Sequence, residues 1–309
     1  MTQSGRWTEQ PEAGSPRLMR LMARLALAAG RPVTRALLWP IAIYFWLAMP
    51  RARRASRDYL QRALPRRPGA RDGIRHFHAF ASVLLDRIYL LAGRTQLFDI
   101  ALHGVPALDQ ALAHGRGVVL VGAHFGSFEC LRALGRQQPG MRITLAMYER
   151  NAQRIGQLLR SIDPALQVDV VALGRVDSML ELQQRLDDGH CVGFLADRSF
   201  SDDPTLTVPF LGTPAAFPTG VFRIAAALRR PVLMMAGVYG GGKRYQVRLE
   251  PLADFTASTR AQRTAAVDGA VREFAVRLEG HCREAPYNWF NFYDFWARRS
   301  DDDQAKRSP

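Results

Sequence analysis

Val118-Val119-Leu120-Val121-Gly122-Ala123 is an unbroken apolar run of strand length, and it ends abruptly in His124-Phe125-Gly126-Ser127-Phe128-Glu129. A run that is apolar at every position suits a strand buried on both faces, and such strands belong to parallel sheets covered by helices. The chain around it alternates in the same way. Strands are predicted at 117–123, 142–148, 168–173, 191–196, 231–238 and 244–250, and helices at 75–91, 128–137, 151–161, 177–188, 218–229 and 260–283. The class is therefore α/β, a mixed, mostly parallel sheet flanked by helices, with 244–250 as an antiparallel edge.

In open α/β sheets, functional groups gather at the carboxyl ends of strands, and His124 stands at such an end. A residue five positions further along one continuous helix would be turned well away from His124, at roughly 100° per residue, so His124 must precede the helix. Gly126 permits a sharp turn, Ser127 is placed as an N-cap, and Glu129 falls in the first helical turn, where the dipole favours its ionised form. An ionised Glu129 can hold one imidazole nitrogen as donor and leave the other to take a proton from a substrate hydroxyl. The same residues also read as a helix cap and a solvated first-turn acid. No zinc-protease spacing of two His one turn apart is present.

Charge is unevenly placed. Lys and Arg number 42 against 28 Asp and Glu, a net +14, and residues 1–72 carry fourteen Arg against four acids. Arg17, Arg20 and Arg24 recur at helical spacing, with Leu18, Met22 and Leu25 largely elsewhere on the wheel, which describes a helix on an anionic membrane surface or an ordinary packed surface helix. No base-reading motif accompanies the basic residues, so nucleic acid is not the expected partner. Ala36 to Pro50 is uncharged over fifteen residues and is followed by Arg51, Arg53, Arg54 and Arg57. At about 22 Å this segment falls short of a bilayer core of roughly 30 Å, which makes a tilted, re-entrant or interfacial anchor at least as good a reading as a span. Its Arg flank points to the cytoplasmic side, and no small-residue cleavage site follows. Cys130, Cys191 and Cys282 have neither a disulfide pattern nor metal-site spacing. The expected organisation is a basic membrane-associating region at 1–60, an α/β domain at 61–300 and a polar tail at 301–309.

The string Gly122 to Glu129 resembles the His-x4-acid motif of the bacterial lipid A biosynthesis acyltransferases, relatives of the glycerolipid acyltransferases. The resemblance implies His124 as general base on an acceptor hydroxyl, Glu129 as the acid that orients it, and an acyl thioester, of acyl carrier protein or coenzyme A, as donor. It implies no metal and no bound cofactor. Met147 to Asn151 is similar to the family's Tyr-Arg block, which makes Arg150 the candidate for holding substrate or stabilising an oxyanion; a salt-bridged strand-end Arg is the alternative. Phe194 to Arg198, with Val208 to Gly212, is similar to a strand-Asp loop and Val-Pro-Phe segment bordering the acceptor and acyl sites. Asp197 and Arg198 are thus candidates for acceptor binding, with Phe125, Gly126 and Ser127 beside them, although a loop ion pair reads equally well. Pro209, Phe210 and Leu211 are either an acyl-groove lining or core.

Pro286 to Trp296 departs from the family, which carries a Trp followed by a basic stretch; here Phe, Asn, Tyr and Asp follow Trp289. Loss of that basic clamp argues against a phosphorylated sugar acceptor and resembles the divergent members of aryl polyene or other specialised lipid assembly. The aromatics read equally as packing groups. The reading is an acyltransferase at the inner membrane, its catalytic domain on the cytoplasmic side, acting on a hydroxyl or amine of a lipid-linked acceptor. Thioester hydrolysis by the same dyad and a non-catalytic lipid-assembly role are the alternatives.

Overall fold

The computed structural model describes residues 28–113, 115–131, 135, 141–148, 169–174, 177–198 and 203–296. Its centre is a seven-stranded sheet in the order β1-β9-β8-β2-β5-β3-β4. The strands are β1 (Asp99–His103), β2 (Val118–Gly122), β3 (Ile143–Tyr148), β4 (Val170–Leu173), β5 (Cys191–Leu195), β8 (Pro231–Tyr239) and β9 (Arg244–Asp254). β2 is central, parallel to β5 on one side and to β8 on the other, and all five of its residues are buried. Its odd-numbered Val119 and Val121 enter one core, with Phe194, Val232, Met234 and Phe274. Its even-numbered Val118 and Leu120 enter the other, with Leu90, Leu108, Leu233 and Val247. The period of two thus feeds two helix-covered faces at once.

β9 runs antiparallel to β8, as expected for 244–250, yet it is not the edge: β1 pairs parallel to it on the outside. β1 is five residues long and nowhere fully buried, so its apolar signal is weak. A separate antiparallel hairpin, β6 (Thr205–Phe210) and β7 (Thr213–Pro218), turns through Leu211 and Gly212, both at positive φ. Phe210 and Leu211 are buried in the core and Pro209 is exposed.

The amino-terminal elements are α1 (Arg31–Ala36), α2 (Leu38–Ala48), α3 (Pro50–Ala63) and α4 (Ala70–Leu91). No single helix among the described residues is long and apolar enough to cross a membrane; the α1–α2 pair and α3 meet at a bend of 100°. Pro40 sits in the first turn of α2, where a missing N–H costs nothing, and the break falls instead at Met49-Pro50. α2 is apolar almost throughout, yet only Leu38 and Ala42 are buried, and its Trp39 ring stacks on His78 of α4 at 4.0 Å. α3 is amphipathic: Ser56, Tyr59, Leu60 and Ala63 face inward, and Arg51, Arg54 and Arg57 outward. The rest of the chain adds α5 (Val105–Leu112), α6 (Ser178–Asp187), α7 (Gly220–Ala227) and α8 (Arg263–Glu284). Residues 1–27, with Arg17, Arg20 and Arg24, the helix expected at 151–161 and the tail from 297 onward lie outside the described residues.

Candidate functional site

His124 follows the end of β2 by two residues, and Asp197 follows the end of β5 by two residues. The strands are in register, Gly122 opposite Leu195, and Ala196 N–H donates to Gly122 O at 2.9 Å beyond the last pair. Continuing that register places Asp197 across from His124. The carboxylate takes three donors: His124 Nδ1–H to Oδ1 at 2.8 Å, His124 backbone N–H to Oδ2 at 3.0 Å, and Trp289 Nε1–H to Oδ2 at 2.9 Å. Asp197 is only 1% exposed, whereas the His124 side chain is 33% exposed. Burial pushes the Asp197 carboxyl upward, but His124, Arg198 and the indole donor outweigh it and bring it down to about 2. Desolvation and then the neighbouring Arg198 push His124 below its ordinary value, against the pull of Asp197. At neutral pH the pair is thus a carboxylate and a neutral imidazole, with the proton on Nδ1 and the lone pair on Nε2.

The turn after His124 is fixed by backbone. Phe290 N–H donates to His124 O, Gly126 N–H to Asn288 O and Ser127 N–H to Gly237 O, each at 2.8 Å. Gly126 has φ +59°, and a Cβ there would run into Gly237 O, so both conformation and space demand glycine. Phe125 is buried, its ring 5.8 Å from that of His281. Ser127 is buried but does not cap the following turn through its side chain; its Oγ–H donates to Glu129 Oε2 at 3.2 Å. That turn, expected as a helix over 128–137, begins as a 3-10 turn at Phe128–Cys130.

The sequence reading put Glu129 on the imidazole; in the structure Asp197 occupies Nδ1. The ion-pair partner of Glu129 is Arg87 of α4, Nε to Oε1 at 2.6 Å. Arg198 does not form a loop ion pair with its neighbour: Nη2–H donates to Phe290 O at 2.9 Å, and the guanidinium lies over the Tyr293 ring. Arg87 and Arg198 both bear electrostatically on His124. Arg150 lies outside the described residues. Among those described, no three His, Cys, Asp or Glu side chains converge as metal ligands, and Cys130, Cys191 and Cys282 are buried free thiols.

Three contributors had no assigned role from sequence. Arg87 is one Arg within an amphipathic helix and carries no local signal. Trp289 and Asn288 belong to the aromatic block but are buried: Trp289 reaches Asp197, and the Asn288 side chain bonds Tyr239 N and O at 2.7 and 3.2 Å. Asn288, Trp289, Phe290 and Asn291 of the block are buried, and Asp294 is exposed. The surface groove of about 390 Å³ between α7 and α8, lined by Arg223, Arg263 and Asp268 among others, holds no histidine and shares no residue with this turn.

What the arrangement can do is accept a proton at Nε2 from a group approaching the strand ends, with the resulting imidazolium held by a buried carboxylate. A family model for bacterial lipid A biosynthesis acyltransferase matches residues 18–298. A search of curated proteins finds no match.

Proposed function

The chain belongs to the bacterial lipid A biosynthesis acyltransferase family and is an acyltransferase acting on lipid; on that premise we propose how it works and on what. The donor is a thioester of acyl carrier protein or coenzyme A, and the acceptor is a hydroxyl or amine of a lipid-linked molecule. His124 Nε2 takes the acceptor proton as the oxygen or nitrogen attacks the thioester carbonyl. The tetrahedral intermediate then collapses, the C–S bond breaks, and the departing sulfur takes the proton back from the imidazolium to leave as thiol. Asp197 holds Nδ1–H and stabilises the imidazolium, while Arg150 and backbone N–H groups serve the oxyanion. Glu129 supports the base through the turn, by way of Ser127 and Arg87. The observation that carries this reading is the 2.8 Å contact of His124 Nδ1 with a carboxylate of 1% exposure.

We extend the proposal to location. α2 exposes Tyr44 at 64% and Leu47 at 59%, with Phe80 and Leu84 of α4 also exposed, and Arg51, Arg54 and Arg57 begin the next helix. An apolar patch bordered by Arg suits the headgroup boundary of an anionic leaflet and supports a location on the cytoplasmic face of the inner membrane. The absence of the family's basic stretch after Trp289 supports an acceptor of the aryl polyene or other specialised class. Comparative lipid mass spectrometry of wild-type and His124→Ala cells tests the function: one lipid loses one acyl mass in the variant. Identical profiles with the protein expressed would sink the transferase reading, and release of free fatty acid with every acceptor would replace it by a hydrolase.

A further inference from the structure

Asp197 sits on a loop just past its strand, and a carboxylate there can rotate about two bonds. Apart from His124 itself, what holds it is a residue ninety-two positions away in sequence. Trp289 is fully buried, and its indole is boxed by the rings of Tyr59 at 5.0 Å, Phe210 at 5.3 Å and Phe295 at 4.9 Å. Its backbone is held as well: Trp289 forms an isolated antiparallel bridge with Phe125, and its carbonyl accepts from His76 Nε2–H at 2.9 Å. His76 Nδ1 in turn accepts from Ser56 Oγ–H at 2.8 Å, so the imidazole is neutral with its proton on Nε2. A buried indole N–H needs an acceptor, and in this box the acceptor is Asp197 Oδ2. The other carboxylate oxygen is thereby left facing His124.

We propose that Trp289 is a positioning residue for the His124–Asp197 pair: its indole N–H fixes the Asp197 carboxylate so that Oδ1 meets Nδ1–H and the lone pair of Nε2 faces the substrate. The proposal rests on His124 being the base. It assigns the carboxyl-terminal segment a part in the chemistry beyond closing the fold, because residues 288–290 grip the His124 turn by backbone and its carboxylate by side chain together. The charged and titratable groups around the pair are Arg198, Arg87, Tyr293 and Cys282. None of them donates a hydrogen bond to Oδ2 among the described contacts; there the indole shares that oxygen only with the His124 backbone N–H.

The test compares Trp289→Phe with wild type, and with a variant carrying 3-benzothienylalanine at 289, which keeps the bicyclic shape but has sulfur in place of N–H. The first readout is the ¹⁵N spectrum of His124 in the full-length protein without substrate. Wild type should show the Nδ1–H tautomer, and both variants should show a mixture, with circular dichroism unchanged for the benzothienyl protein. Because that protein conserves the packing, it decides the matter even where Trp289→Phe does not fold. The second readout is thiol release from dodecanoyl-coenzyme A with a total lipid extract as acceptor. Here kcat should fall roughly 10- to 100-fold with KM little changed, and the loss should vanish in an Asp197→Asn background, since Trp289 acts through that carboxylate. A wild-type tautomer in the benzothienyl protein, or a loss that is additive with Asp197→Asn, overturns the proposal. His124→Ala in the same assay separates the two failures. Turnover retained there removes the base itself, whereas an inactive His124→Ala beside fully active Trp289 variants removes only the positioning role.

Discussion

Asp197 Oδ1 lies 2.8 Å from His124 Nδ1 although 73 residues separate them in the chain. The contact is a product of strand order. β2 and β5 are parallel neighbours in register, and each contributes the residue two beyond its last ladder pair. Two short motifs that look independent in sequence are therefore the two halves of one acid–base pair.

Asp197→Asn should reduce turnover about 10²- to 10⁴-fold, because an amide can bind Nδ1 without stabilising the imidazolium and can favour the wrong tautomer. Glu129→Gln should cost less, since Glu129 reaches the base only through Ser127 and Arg87. Steady-state kinetics of the two purified variants decide the order. A larger loss in Glu129→Gln would return the orienting role to that residue.

Gly126→Ala and Gly237→Ala should each destabilise the protein by about 2–4 kcal/mol. A methyl on Gly126 would strike Gly237 O and would also occupy φ +59°; a methyl on Gly237 would strike Ser127 O. Denaturant midpoints at constant slope check this, and the His124 turn should lose its order along with the stability.

The acidic limb of the rate–pH profile should have its midpoint below 6.5. The base must be neutral, and burial with Arg198 holds the imidazole below its ordinary value, so neutral His124 persists into mild acid. Arg198→Gln removes one of the depressing charges and should move the limb upward. Asp197→Asn removes a group that raises His124 and should move the residual limb downward. Profiles of kcat/KM over pH 4–8, which report the free enzyme, distinguish the two directions.

The parts of the fold legible in sequence were those whose burial left no choice of pattern. β2, β5 and β8 are apolar runs because both sheet faces are covered, and α8 and α4 are long enough for period 3.6 to stand out. β1 escaped because a short, half-exposed strand has little apolar signal, and β6–β7 because Pro209, Pro214 and Pro218 argue against ladder structure. The site was half legible for the same kind of reason. A strand end followed by His-x4-Glu marks the proposed base, but strand order is a tertiary property, so the nearest acid in sequence stood in for the nearest acid in space. Trp289 was visible only as one aromatic among many, since what distinguishes it is the single acceptor its N–H can reach.

Stability should fall as pH drops from about 6.5 to about 4. His76 is fully buried, and desolvation lowers it to about 4 despite its bond to Trp289 O. The unfolded chain takes up a proton below about 6.5 while the folded chain does not, so by pH 4 this residue alone removes roughly 3 kcal/mol. His124, His78 and His190 are shifted in the same direction and add to the slope. Asp72 and Asp197 are lowered carboxyls, whose stabilisation is present above about 4 and is lost only below it. Urea titrations across this range should give a shallower slope for His76→Gln. An unchanged slope would remove His76 as its source.

Tyr44→Asp with Leu47→Asp should weaken association with vesicles containing anionic phospholipid while leaving the melting temperature within a few degrees of wild type. Both side chains are more than half exposed, so little packing is lost on substitution, whereas a carboxylate at the headgroup boundary loses apolar contact and is repelled by the leaflet charge. Replacing Arg51, Arg54 and Arg57 by Gln should have a different signature, weakening binding at low ionic strength and progressively less as salt screens the wild-type protein too. At 11 residues α2 is about 16 Å long, and a surface mode in which its 100° bend into α3 leaves both ends on one side predicts that lysis of sealed vesicles is not required for binding. Sedimentation with sealed vesicles, at two salt concentrations, therefore tests the surface mode directly: equal pelleting of wild type and the double Asp variant would place the membrane contact elsewhere in the chain.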